Sequence, residues 1–413
     1  MAGAGVSLLL AGCLNDPDSS GPHTPGMTID NDASSLGVRF TPRQERILLE
    51  NAEGALLKGA AYESFTMTLV AEIEPPRVNG VALQATSVSL NDGYAYISYN
   101  TAGEAYAGGV DVVRVNSGMD PEIVSSVVYD SADVHSLYYR DGDLYLAESA
   151  SEPEGSLAVV ERMRVENGKL QHKARERTFL NSFAITAVTV QEDKVFATSG
   201  NTGGLHVLSR ETFEAGSSIE ADDARWVDAD ESRVVVVQGM PGRISVYDKA
   251  KLALIGLWSF AGADIPEAKT TVRLVGGKAL IAAGTGGIQL MNLETGKIVG
   301  SVAAPEIKGM SASQTVANAA DGAGDLIYAS NGEAGVYAIQ ASGNLEDLTG
   351  DKEVELTSLG RLAFEGLESV NHVAFDGNIL VIATGRGGVK IVSVEPKPVV
   401  IEVRGVIGST EID

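Results

Sequence analysis

From about residue 80 onward, the apolar residues fall in runs of four or five separated by Gly, Asp or Asn, a length and punctuation that predict strands and not helices. One theme recurs. An apolar strand meets a polar turn, a β-rich strand follows, and a glycine-rich loop leads into an alternating strand. Tyr94-Ala95-Tyr96-Ile97 precedes Gly108-Gly109-Val110-Asp111-Val112, Val195-Phe196-Ala197-Thr198 precedes Gly203-Gly204-Leu205-His206-Val207, and Leu380-Val381-Ile382-Ala383 precedes Gly387-Gly388-Val389-Lys390-Ile391. The aligned glycines 109, 155, 204, 242, 287, 335 and 388 recur at intervals of 38 to 53 residues, close to one four-stranded blade.

Seven such units predict an all-β fold, a seven-bladed β-propeller of four-stranded antiparallel blades over residues 62–413. In the first blade the strands should run near Thr86–Leu90, Tyr94–Tyr99, Gly109–Val115 and Ile123–Tyr129. Phe65–Ile73 and Val399–Ile407 both read as strands that could complete the last blade. The N-terminal one is favoured, because it would tie the two ends of the chain together.

Upstream the pattern changes. Residues 13–40, rich in Ser, Pro, Asp, Asn and Gly, read as a disordered tether. Thr41-Pro42 carries the N-cap and first-turn signals of a helix, and Ile47, Leu48, Leu49, Leu56 and Leu57 follow at roughly helical spacing, predicting a short helical segment over 41–61.

The repeats resemble the LVIVD-repeat proteins, a bacterial and archaeal propeller family that is often exported. Its units read as a Tyr- or Val-rich strand, a glycine turn and an aliphatic strand ending in Asp. Asp248 keeps that Asp, whereas Ser209, Asn292 and Ser393 stand near its place in other units. The resemblance spans residues 80–398 and implies fold and export. It brings no catalytic residues.

The lone cysteine sharpens the expectation of export. Leu8, Leu9 and Leu10 form a short apolar run that ends in Leu10-Ala11-Gly12-Cys13, which resembles the lipobox of bacterial lipoproteins. No Lys or Arg precedes the run, a departure from the usual signal peptide. The resemblance implies that residues 1–12 are a signal peptide and that Cys13 is the acylated residue of a lipid-anchored protein of the bacterial cell envelope. Leu14 follows it where inner-membrane lipoproteins commonly carry Asp, which favours the outer membrane. With one cysteine, no intramolecular disulfide can form.

Charge narrows the partners. The formal net charge of -24 lacks the basic clusters that phosphate backbones require, so nucleic acid is excluded. An acidic surface suits a saline environment, basic partners or weak cation binding. The expected partners are the membrane, through the lipid on Cys13, and a protein of the envelope.

Candidate chemistry is sparse. The sequence has no His-Glu-x-x-His, no Gly-x-Ser-x-Gly and no phosphate loop. In propellers one face gathers the loops that lead into inner strands and those joining second to third strands. That face would collect His135, Thr186, Arg225, Thr270, Asn371, His372, Arg386 and Glu148 as a ligand or partner surface. His135 and His372 could share a metal, but no ligand spacing supports it, and hydrogen-bonded histidines are the better reading. Asp321-Gly322-Ala323-Gly324-Asp325 reads as a turn in preference to a calcium loop. No cofactor is expected. The function these features imply is a noncatalytic, protein- or ligand-binding scaffold on a membrane anchor; the alternative is a propeller hydrolase or lactonase using carboxylates at the channel mouth.

Overall fold

The computed structural model describes residues 26–51, 54–57, 65–101, 103, 105–115, 120–152, 155–266, 268–364 and 369–396. Cys13 and the expected signal peptide lie outside them, as does Val399–Ile407. The described strands build a ring of seven antiparallel blades. Their inner strands are Gln84–Asn91, Ala132–Arg140, Ala187–Gln191, Ala224–Ala229, Val272–Val275, Ala319–Ala323 and His372–Phe375, which number blades 1 to 7.

Blade 1 continues outward through Tyr94–Asn100, Gly108–Arg114 and Glu122–Tyr129, within two residues of the predicted bounds at every strand end. The last blade is completed from the other end of the chain. Phe65–Ile73 pairs antiparallel with Val389–Pro396 as its outer strand, so the N-terminal candidate closes the ring. A register shift between Ile391 and Val392 leaves Val70 as an inserted residue. Before the bulge Phe65, Met67 and Leu69 pack towards blade 6, and after it Val70, Ala71 and Ile73 pack towards blade 1.

The core is not central. Buried apolar side chains form seven clusters, one at each contact between neighbouring blades. Tyr96, Val110 and Val112 of blade 1 meet Leu144, Leu146 and Val159 of blade 2, for example. A blade is apolar on both faces, so only a closed ring covers every one.

Two expectations about the N-terminal region are corrected. Residues 26–40 of the expected tether are fixed on the ring, and the short helix of the chain lies there, at Ala33–Leu36, capped by Asp32. Nor does the segment predicted as helix over 41–61 form one where it is described: Phe40–Ile47 and Leu49–Glu50 are strands. They extend a strap. Met27–Asp30 adds a fifth strand outside blade 1, Phe40–Ile47 outside blade 7 and Leu49–Glu50 outside blade 6. Pro42 is tolerated because Phe40–Ile47 is an edge strand.

Candidate functional site

Residues at the start of most inner strands tie neighbouring blades together. Thr86 Oγ1 of blade 1 donates to Val134 O of blade 2 at 2.9 Å, and Thr186 Oγ1 of blade 3 to Ala224 O of blade 4 at 2.9 Å. Asn318 Nδ2 of blade 6 donates to Val370 O at 3.1 Å, and Asn371 Nδ2 of blade 7 closes the circle on Ala85 O at 2.8 Å. Arg225 does more. Its Nη1 donates to Ile265 O, Ala268 O and Thr270 Oγ1, while Nε and Nη2 hold Asp223 Oδ2.

Backbone bridges run beside these bonds, joining Gly385 to Ala85, Gly200 to Ala224, Gly284 to Ala317 and Gly332 to Val370. At Gly332 the requirement for glycine is double: φ is +54°, and a Cβ would stand 2.6 Å from Gln314 O.

Thr186, Arg225, Thr270 and Asn371, expected to present a ligand surface, are therefore blade-to-blade ties. Glu148 is fully buried inside blade 2, facing Arg177 at 3.7 Å, beside Glu161, which pairs with Arg175 at 2.6 Å. His135 Nε2 bonds Ser149 Oγ within the same blade at 2.7 Å. Of the expected set, Arg386 alone stands exposed, on a loop of blade 7. Among the described residues no cluster of three or more His, Cys, Asp or Glu side chains could hold a metal ion.

One position earlier on the lead-in to blade 5 stands Lys269, and it crosses the ring axis. Its Nζ donates to Thr86 O of blade 1 at 2.5 Å and to His135 O of blade 2 at 3.3 Å, and lies 5.3 Å from the Trp226 ring centroid of blade 4. Trp226 in turn stacks on His372 of blade 7, centroids 5.3 Å apart. Side chains from blades 4, 5 and 7 thus meet on the axis and plug the channel at the face where the sequence placed its mouth. Burial without a carboxylate partner pulls Lys269 down to about 7. Burial, then the nearby Lys269 charge, lowers His135 to about 4 and takes His372 well below its ordinary value.

Below the plug the channel opens towards the hairpins joining inner and second strands, as a cavity of about 250 Å³. Two residues further along the inner strands than Trp226 and His372 come Asp228, Arg273 and Asp321, with Tyr138 at the same level. Arg273 Nε donates to Asp321 Oδ1 at 3.3 Å, and its Nη1 lies 3.9 Å from Asp228 Oδ2. Each carboxylate also accepts a backbone amide of the next blade: Asp228 from Leu274 and Asp321 from Phe375, at 2.8 and 2.9 Å. Burial pushes both carboxyls above their usual range, against the opposing pull of Arg273. The Arg273 side chain keeps 51% of its surface, but that surface faces the channel interior.

Of the turn expected for 321–325, Gly324 and Asp325 form it, whereas Asp321 belongs to the inner strand that leads in. Lys269, Tyr138, Asp228, Arg273 and Asp321 escaped notice because no local motif marks them. Their signal is register: they stand at fixed offsets from the aligned lead-in residues of the seven repeats.

No family model matches this chain. None of the curated proteins matches it either. Among solved structures, the crystal structure of the computationally designed Ika8 protein is similar over 85% of this chain and 97% of its own, at 15% identity and a TM-score of 0.47.

Proposed function

We propose that this chain is an exported lipoprotein, anchored through Cys13, whose propeller is a noncatalytic scaffold that binds a protein partner of the cell envelope. The LVIVD-like repeats and the Leu10-Ala11-Gly12-Cys13 sequence support export and anchoring, with the outer membrane as the favoured destination.

One observation carries the binding half. Among the described residues the outer strand of blade 4, Leu254–Ser259, pairs on one side only, and it exposes Leu254, Ile255 and Leu257 at 53%, 58% and 50%. Other blade edges are covered or polar. The strap covers blades 1, 7 and 6, the backbone of Val354 donates to Val299 O along blade 5, the outer strand of blade 3 is mostly small and polar, and that of blade 2 is mostly charged, its one exposed aromatic, Phe179, lying under Arg177. A bare apolar edge is a template for an added strand, with side-chain pockets giving specificity.

The hydrolase alternative draws less support. Glu148 is buried, and the carboxylates that line the channel lie beyond the plug, held by Arg273 and by backbone amides.

Anchoring is tested by feeding an alkyne-tagged fatty acid to producing cells and comparing wild type with Cys13→Ser. The expected result is label on the wild type alone, with the variant released from membranes; unlabelled wild type would overturn the assignment.

A further inference from the structure

The channel cavity goes beyond the scaffold reading, because it is remote from the rim of blade 4 and is shaped by different chemistry. Its wall combines acceptors and donors at close range. Asp228 and Asp321 each keep lone pairs after accepting their backbone amides, and Arg273 directs its only protein hydrogen bond among the described residues through Nε, leaving Nη2 to the cavity and Nη1 3.9 Å from Asp228 Oδ2. A carboxylate beside a guanidinium fork fits a vicinal diol: the carboxylate accepts one hydroxyl proton, and the fork donates to the oxygens.

Two independent observations point the same way. Ser87 and His372, 1% and 9% exposed, line this cavity, and Ser87 Oγ and His372 Nδ1 have no hydrogen-bond partner among the described residues. Buried polar atoms are rarely left so, and a hydroxyl can serve either one as donor or acceptor.

Charge and size limit the class. Arg273 against Asp228, Asp321 and, at the mouth, the exposed Asp376 gives the wall no net positive charge for an anion, and the guanidinium between Asp228 and Asp321 opposes a metal ion. The volume of about 250 Å³ lies below the roughly 300 Å³ at which pockets for drug-sized molecules begin, which leaves room for a single small ring. We propose that the channel, entered from the face of the inner hairpins, binds a small neutral cyclic polyol of monosaccharide size, held by Asp228, Arg273 and Asp321 over the Trp226–His372 floor.

The test is fluorescence titration of Trp226 in a Trp258→Phe background, with glucose, galactose, arabinose and myo-inositol as neutral probes and acetate and ethylamine as charged ones. One neutral probe should bind saturably. Asp321→Asn and Arg273→Lys should each weaken it about tenfold or more, while Ile255→Ser on the rim leaves it unchanged. Melting curves establish that each variant is folded, and the near-isosteric Asp321→Asn decides if Arg273→Lys is not. The proposal is overturned if no neutral probe saturates by about 10 mM, if Asp321→Asn leaves the affinity unchanged, or if a charged probe binds more tightly than every polyol.

Discussion

Lys269 concentrates several competing effects in one side chain. Its ammonium has lost bulk water, which disfavours charge, while two carbonyl oxygens and the Trp226 ring favour it. Burial wins, and the amine falls from 10.5 to about 7 in the folded protein. Between those values the unfolded chain binds the extra proton, so wild-type stability rises with pH, by up to about 1.4 kcal/mol per pH unit from this group. Below about pH 7 both states are protonated and the penalty is at its full size. Lys269→Met should therefore gain most over wild type near pH 6, with the gap narrowing towards pH 10. Melting temperatures of the two proteins across that range check this, and parallel curves would contradict it. His135, lowered to about 4, acts at the acid end: its neutral form is retained in the fold, so stability falls as pH drops from 6.5 towards 4. At this scale the sequence was only partly legible. Thr186, Arg225, Thr270 and Asn371 were found at the right level of the ring, but their polarity serves neighbouring blades, a partnership that becomes visible only once the ring closes.

Among the elements, the strap is where prediction and structure part. Thr41-Pro42 and the leucines downstream look helical, yet Ile47 and Leu49 alternate into the cluster between blades 6 and 7 while Leu48 points out, 41% exposed. That is a strand's period, set by available sheet edges: Phe65–Ile73 for Phe40–Ile47, and Leu356–Leu362, about three hundred residues away, for Leu49–Glu50. A buried ion pair fastens the strap. Arg39 grips Asp111 of blade 1 through two bonds of 2.8 and 2.7 Å, Tyr99 Oη adds a third at 2.8 Å, and Asp111 is fully buried. Removing one partner of such a pair leaves an uncompensated charge, at about 3–5 kcal/mol. Arg39→Met should lower the unfolding free energy in urea by that order, and a loss below about 1 kcal/mol would show that the strap is incidental to ring stability.

For the whole molecule, the repeats declared themselves because stacking imposes the same strand–turn–strand grammar on every blade. Ring closure was legible for a related reason: Phe65–Ile73 reads as a strand, and adding it to the last blade ties the two ends of the chain together. The channel was not legible, since its contents depend on which of seven aligned positions carries a large residue. Trp226 and His372 meet on the axis while Ser87, Ser136, Ala187, Thr271 and Ala319 at the same level stay small. With the axis plugged and the rim of blades 1, 6 and 7 strapped, the outer strand of blade 4 is left as a bare apolar edge, and a partner strand is proposed to bind there. The most direct test of that binding is crosslinking mass spectrometry in native membranes with a photoreactive residue at Ile255, compared with one at Arg386 on the plugged face. Crosslinks to one envelope protein are expected from Ile255, abolished by Leu257→Asp, with none shared by Arg386. Crosslinks confined to Arg386, or none from Ile255 above background, would contradict it.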